Sequence, residues 1–173
     1  MFLNLWADKT FIYNNWDFTF FERKQLDIQL PEFFKNNSDV DKLFVIIWPG
    51  NFSSSRIWVE VVNILVYLWV LKNVFYLNKL EFFQQLWYNN IYLFSGNKNK
   101  FIFLKDQKKY DIVSTSDMNK KCLLEELFEL NLEGFGIIKY KDILKDIEKL
   151  ERNKLKEKEL LIPYYIFEPA VSC

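Results

Sequence analysis

The hydrophobic pattern at the start of the chain predicts three short strands followed by a short helix. Aromatic and β-branched residues dominate the three strand segments, and turn-forming residues separate them closely enough for hairpins. The segments are "FLNLW" (2–6), "TFIYN" (10–14) and "DFTFFERK" (17–24). The next segment, "LPEFFKNN" (30–37), predicts a short helix with Pro31 in its first turn.

The middle of the chain predicts a βαβ unit. The apolar run at residues 42–48 is typical of a strand buried on both faces, and residues 53–71 have the spacing of a helix that is apolar on two faces. A membrane span is the alternative for this helix, but its charged and polar residues leave an apolar length well short of the roughly 20 residues that a span needs. Residues 72–77 predict the next strand, and residues 79–89 predict a short helix.

The second half predicts an antiparallel meander followed by helices. Three alternating segments predict strands, and two segments with helical spacing predict helices around one further strand. The predicted strands are 90–96, 100–106, 109–115 and 134–140, and the predicted helices are 116–130 and 141–160. The end of the chain, residues 163–169, is expected to be extended. The fold class is therefore α/β, with mixed sheets and flanking helices, divided into units 1–88 and 89–173.

The amino-acid composition limits which binding and catalytic functions the chain can have. Positive and negative residues balance at 23 each, so no overall basic field attracts nucleic acid. Histidine is absent, which removes the commonest general base and metal ligand, and two cysteines are too few for a disulfide framework. The start of the sequence lacks the basic region of a signal peptide. We therefore expect a reduced, cytoplasmic protein without membrane attachment, and we expect no catalytic, metal or cofactor site.

The stretch "PGNFSSSRIW" (49–58) lies between the buried strand and the two-faced helix. A helix start offers free N–H groups and a positive dipole, so this elbow could hold an anion with the help of Arg56. The alternative, which local chemistry favours, is that Pro49-Gly50 turns the chain and the serines cap the helix. No glycine-rich phosphate motif is present.

The same elbow resembles the hallmark of the TsaB family, which is close to P-G-S-F-T-G-[LV]-R-I-G. The matching positions are Pro49, Gly50, Phe52, Arg56 and Ile57, with Ser53 in place of the threonine. Ser54 and Trp58 replace two further glycines of the pattern. The order of predicted elements also agrees, although the resemblance is specific only around residues 43–80.

The resemblance implies an actin-like (ASKHA) fold of two related lobes, here reduced in size. It also implies a noncatalytic scaffold subunit that stabilises a TsaD-like catalytic subunit, working with a TsaE-like ATPase, in making threonylcarbamoyladenosine beside the tRNA anticodon. Contact with tRNA would be indirect, and a homodimer is possible when the partner is absent. The alternative is a self-associating interaction protein that keeps a degenerate actin-like fold. An enzyme working through carboxylates is the least favoured hypothesis.

In the TsaB family, amino-terminal helices form the surface that pairs with TsaD. On that basis the predicted interface lies on one face of the two-faced helix and on the short helix before it. Its expected residues are Pro31, Phe34, Trp58, Val62, Asn63, Val66 and Trp69. The alternative is that the second unit of the same chain covers this face, since a single sequence does not fix the orientation of a helix.

Overall fold

The computed structural model describes most of the chain in continuous stretches. The described residues are 1–5, 9–38, 40, 42–47, 52–68, 70–71, 73–106, 109–150, 153–154 and 161. Within them the protein is α/β, with two mixed sheets and four α-helices.

The first sheet has six strands in the order β11-β5-β4-β1-β2-β3. The strands are β1 (Phe2–Asn4), β2 (Thr10–Asn14), β3 (Asp17–Phe21), β4 (Leu43–Ile47), β5 (Val74–Asn78) and β11 (Asn153–Lys154). The three strands β1, β4 and β5 run parallel, while β2 and β11 pair antiparallel with their neighbours. The central strand β4 is buried at all five positions, as its continuous apolar sequence predicts.

The helices that flank this sheet follow from local sequence signals. The helices are α1 (Leu26–Asn36), α2 (Phe52–Tyr67), α3 (Lys79–Gln85) and α4 (Tyr140–Ile143). At the start of α3, the Asn78 side chain accepts from the Leu80 N–H at 2.8 Å, and Glu81 accepts from the Asn78 N–H, which forms a capping box. This cap lets α3 begin directly at the end of β5.

The second sheet has five strands in the order β10-β9-β6-β7-β8. The strands are β6 (Ile91–Asn97), β7 (Lys100–Leu104), β8 (Tyr110–Ser114), β9 (Leu123–Glu125) and β10 (Gly136–Ile138). The first three form the predicted antiparallel meander, and β9 and β10 add in parallel beside β6.

The two sheets repeat one topology. In each unit the first strand (β1 or β6) pairs antiparallel with the second strand (β2 or β7) and parallel with the fourth (β4 or β9). The fifth strand (β5 or β10) pairs parallel with the fourth, on its outer side. The order β3-β2-β1-β4-β5 therefore matches β8-β7-β6-β9-β10, with the same strand directions. A helix follows the fifth strand in both units: α3 after β5, and α4 after β10.

One hydrophobic core joins the two units. It contains strand residues of the first sheet together with Ile91, Leu93, Ile102 and Leu104 of the second. The opposite face of the second sheet has its own cluster around Tyr92, Phe94, Phe101 and Leu124. The strands β6 and β7 are therefore covered on both faces, which explains their apolar character.

Most of the predicted elements are confirmed, one predicted helix is wrong, and another is confirmed only in its first part. Residues 116–130, expected to be helical, contain only the end of a 3-10 helix (Thr115–Asp117) and the strand β9. The parallel ladder from β9 to β6, and burial of Leu124, override the helical spacing there. The predicted helix 141–160 is confirmed at its start, where α4 is followed by a 3-10 helix (Leu144–Lys149), but Asn153–Lys154 forms the strand β11 and not helix. The predicted extended segment 163–169 lies outside the described residues.

Within the described part of the chain, no helix combines the length and hydropathy that a membrane crossing requires. The two-faced helix is 16 residues long.

Candidate functional site

Helix α2 buries one side and exposes an apolar side. Val59, Val62 and Leu65 are at most 3% exposed and belong to the shared core. In contrast, Ile64, Tyr67 and Leu68 are 54%, 79% and 60% exposed. We call these three residues the α2 apolar face. Large apolar side chains gathered on one helix are a common mark of an interaction surface.

Helix α1 packs against α2 and also exposes a large apolar side chain. Leu26, Leu30 and Phe34 of α1 are buried at 1% exposure or less, whereas Ile28 is 65% exposed. The two amino-terminal helices thus form a pair whose inner sides support the core. Their outer sides expose Ile28 on α1 and the α2 apolar face to solvent.

Asn63 ties α2 to the far end of the chain. Its side-chain amide donates to the Leu161 carbonyl at 3.1 Å, and its amide oxygen accepts from the Leu161 N–H at 2.8 Å. Asn63 is 5% exposed and Leu161 is 3% exposed, so both hydrogen bonds are shielded from water. A buried amide on an otherwise apolar helix thereby has its donor and its acceptor satisfied within the chain.

The structure places the predicted interface residues mainly on the buried side of the helix pair. Phe34, Val62 and Asn63 are buried by the chain itself, so they do not form surface contacts. Pro31 and Val66 are half-buried. The α2 apolar face lies on the other side, because the first sheet selects which side of α2 turns inward and helical spacing alone does not.

The remaining predicted positions carry little structural description. Trp69, Pro49 and Gly50 lie outside the described residues. Phe52, Ser53, Arg56 and Trp58 lie within α2, but their side chains are outside the described part of the structure. The predicted helix start is confirmed to within a residue, since α2 begins at Phe52. The alternatives for the elbow, an anion site or a turn with a cap, both stay open.

A second feature, which sequence reasoning missed, is a polar cluster buried between the two units. The Lys79 ammonium lies 2.6 Å from the Glu125 Oε1, and both side chains are fully buried. The Tyr140 hydroxyl donates to the Glu125 Oε2 at 2.5 Å, and the Phe94 N–H donates to the Glu125 Oε1. Lys79 also donates to the Phe94 carbonyl at 3.4 Å. Three donors from three elements therefore converge on one carboxylate.

The duplicated topology explains why these side chains meet. Lys79 is the first residue of α3, after β5, and Tyr140 is the first residue of α4, after β10. Corresponding positions of the two units thus contribute the cation and the hydroxyl. Glu125 ends β9 and receives both, so the cluster fastens the first unit to the second.

Burial sets the electrostatics of this cluster. Loss of hydration raises the pKa of the Glu125 carboxyl, and the Lys79 ammonium and the Tyr140 and Phe94 donors only partly offset that effect. The Tyr140 ring, whose hydroxyl donates to the carboxylate, contacts the rings of Phe11 and Phe83, and all three residues are buried. Because the side chains of Lys79 and Glu125 are fully buried, a substrate cannot reach them. The cluster therefore has a structural role: it holds the packed elements of the two units together.

Little in the sequence could have identified the cluster. Lys79 follows a recognisable cap, but Glu125 lies in "CLLEEL", which predicts an exposed helical glutamate. Asn63 did carry a signal, because an amide inside an apolar helix must find a partner. Across the part of the chain that the structure describes, no group of carboxylate and thiol side chains could hold a metal ion.

Comparison of the chain with protein-family models, with curated proteins and with solved structures gives no match.

Proposed function

We propose that this chain is a noncatalytic partner subunit that stabilises a TsaD-like catalytic subunit in the modification of tRNA to threonylcarbamoyladenosine, in the cytoplasm. The observation that carries the proposal is the α2 apolar face, formed by Ile64, Tyr67 and Leu68 at 54–79% exposure. The elbow "PGNFSSSRI" (49–57) that precedes this helix supplies the link to the TsaB family.

The sheet topology supports the actin-like form of the proposal. An actin-like fold consists of two related lobes, and here the strand order β3-β2-β1-β4-β5 is repeated as β8-β7-β6-β9-β10. The resemblance places the pairing surface on amino-terminal helices. The outer sides of α1 and α2, with Ile28 and the α2 apolar face, meet that requirement better than the residues predicted from spacing.

The physical case for a protein partner rests on burial. Fully burying an aliphatic side chain from water is worth about 1.5–3 kcal/mol, and Ile64 and Leu68 have a little over half of that exposed surface left to bury. Aromatic residues such as Tyr67 are enriched among the residues that dominate binding energy. Helix packing against a helix of another subunit would cover all three with one crossing.

The test is co-purification with a TsaD-like subunit. Tyr67→Asp is expected to abolish the association while leaving the thermal midpoint unchanged, because Tyr67 is 79% exposed. Ile112→Asp, on the edge strand β8 and 42% exposed, is the matched control and should leave the association intact. Loss of the modified nucleoside from bulk tRNA after deletion of the gene, measured by mass spectrometry, would complete the test.

The second candidate function is a self-associating interaction protein, which the same apolar face favours. Sedimentation of the isolated chain separates the two. A homodimer that Tyr67→Asp dissociates, with normal tRNA modification in a deletion strain, would establish self-association and refute the partner-subunit proposal.

A further inference from the structure

The edge strand β8 of the second sheet turns part of its backbone away from the sheet. The Lys105 N–H donates to the Lys109 carbonyl at 3.0 Å, and the Thr115 N–H donates to the Asn99 carbonyl at 3.1 Å. These two bonds lie at the two ends of the antiparallel ladder between β7 and β8. Hydrogen-bonded pairs alternate along such a ladder, so the odd-numbered residues of β8 direct their N–H and carbonyl groups toward β7. The even-numbered residues direct theirs outward.

The outward-directed residues of β8 are Tyr110, Ile112 and Ser114. Within the described part of the chain, no strand lies beyond β8 to pair with their backbone groups. The side chains of Tyr110 and Ile112 are also 40% and 42% exposed. An edge that presents unpaired backbone groups together with apolar side chains is a template for pairing with another strand.

The outer strand β3 of the first sheet is, in contrast, partly closed by side chains. The two-residue turn of the β2–β3 hairpin makes Asn14 and Asp17 its closing pair, so the backbone of Phe18 points outward. The Asp17 carboxylate accepts from the Phe18 N–H at 2.9 Å. Just beyond the strand, Gln29 of α1 accepts from the Glu22 N–H, also at 2.9 Å. The outer strands β10 and β11 have only three and two residues, so β8 offers the longest open edge among the described strands.

The sequence of β8 selects the register in which a second copy would pair with it. In an antiparallel arrangement about Ile112, Tyr110 lies opposite Ser114 of the second copy and Ile112 lies opposite itself, so outward-directed residues meet each other. Asp111 then lies opposite Val113. An arrangement about Asp111 would instead place two carboxylates directly opposite each other, which is unfavourable. The register about Ile112 therefore uses all the outward-directed residues of β8 without opposing like charges.

The side chains support the same register. The two Ile112 side chains would lie on one face of the joined sheet, where directly opposite Cβ atoms are about 5.5 Å apart, and each would cover apolar surface of the other. Tyr110 would lie diagonal to Ile112 of the second copy, within reach of an aromatic side chain. At each end of the strand, Lys109 would lie opposite Thr115 of the second copy, two residues from the exposed Asp117. The pairing is thus apolar at its centre and has opposite charges near each end.

We propose that two copies of this chain pair antiparallel through β8, about a twofold axis at Ile112, and form one continuous sheet. Main-chain hydrogen bonds between the edge strands give affinity, and the side chains give the register. A twofold interface uses the same surface on both copies, so the exposed parts of Tyr110 and Ile112 are covered on each. This inference does not rest on the proposed function, because β8 and the α2 apolar face are separate surfaces.

The experiment is sedimentation of the full-length chain with a charge introduced at the axis. Ile112→Lys or Ile112→Glu places two like charges opposite each other, so either variant alone should have a dimer dissociation constant at least about tenfold higher than wild type. A mixture of the Ile112→Lys and Ile112→Glu chains places opposite charges at the axis and should form a mixed dimer, which also shows that both variants fold. Ile137→Lys, on the edge strand β10 of the same sheet and 46% exposed, is the matched control and should leave the dimer intact.

Several outcomes would overturn pairing through β8. They are a wild-type chain that is monomeric at its highest soluble concentration, a dimer that survives both Ile112 substitutions, and a mixture of the two variants that stays monomeric. A dimer that Tyr67→Asp dissociates and the Ile112 substitutions leave intact would assign self-association to the α2 apolar face instead. If the β8 dimer behaves as expected but no TsaD-like subunit co-purifies, the pairing stands and the proposed function fails.

Discussion

Replacing Lys79 with methionine tests the role of the buried cluster most directly. The substitution keeps the volume and the apolar stem of the side chain but removes the ammonium that lies 2.6 Å from the Glu125 carboxylate. Glu125 is fully buried, so among the described residues its charge would keep the Tyr140 and Phe94 donors and lose its cation. The perturbation therefore removes one partner of a buried pair and leaves the other in place.

The expected cost is a large part of the stability of the fold. Breaking a buried ion pair by removing one partner typically costs about 3–5 kcal/mol, against a total of about 5–15 kcal/mol for a domain. For a chain of 173 residues, each kcal/mol corresponds to about 2–4 °C in the thermal midpoint. We therefore expect the midpoint of Lys79→Met to fall by about 6–20 °C.

The assay is urea unfolding followed by tryptophan fluorescence and circular dichroism. Lys105→Met is the matched control, because Lys105 pairs with Asp111 on the second sheet while both side chains are about half exposed. Its cost should stay below about 1 kcal/mol, as for other exposed pairs. The double variant Lys79→Met with Glu125→Gln should cost less than the sum of the two single variants, by about 1–3 kcal/mol.

The pH dependence supplies a second readout with a definite sign. Burial holds the folded-state pKa of Glu125 above its unfolded value, and Lys79 opposes that shift. Removing Lys79 raises the pKa further, so the folded variant binds a proton more tightly than the unfolded chain does. Stability of the variant should then increase as pH falls through that raised pKa, and its deficit relative to wild type should narrow in acid.

Two results would refute this reasoning. One is a Lys79→Met chain as stable as wild type at neutral pH, which would mean that the pair contributes nothing net. The other is a deficit that is the same at acidic and neutral pH, which would mean that the loss comes from packing and not from the charge on Glu125.

Three further predictions follow from individual contacts. Asn63→Leu should lower the free energy of unfolding by about 2–4 kcal/mol in urea titrations, because the buried Leu161 N–H and carbonyl lose their partner; an unchanged midpoint would contradict this. Gly134→Ala should cost about 1–2 kcal/mol, since φ is +89° and the added methyl would lie 3.0 Å from the Lys120 side chain; a neutral thermal midpoint would argue against that strain. Burial raises the pKa of Tyr92, so phenolate absorbance should show a tyrosine that ionises above 10.0 and is missing in Tyr92→Phe.

The parts of the fold that sequence predicted well are those with strong local signals. The strand β4 is apolar at every position, and the β2–β3 hairpin turns at Asn15-Trp16, where both residues take positive φ angles of 47° and 71°. The start of α3 follows from the capping pair Asn78 and Glu81. In each case the information lies within a few neighbouring residues.

The parts that sequence predicted poorly depend on distant contacts. Leu123–Glu125 forms a strand because β6 offers a parallel edge and Glu125 finds its donors on other elements. The orientation of α2 also depends on distant contacts. Its apolar residues surround the helix, so the pattern shows that one side can remain exposed but not that Ile64 and Tyr67 lie on it.

The short strand β11 ties the end of the chain to the first sheet. Residues 153–154 come after the entire second sheet, yet they pair with Phe75 and Tyr76 at the edge of the first. A fragment cut off after the first unit would therefore carry β5 as a bare edge, with N–H and carbonyl groups ready to recruit another copy. The two units are alike in topology, but the first sheet is completed by a strand from the end of the chain. The protein therefore cannot be cut between its units without exposing an unpaired strand edge.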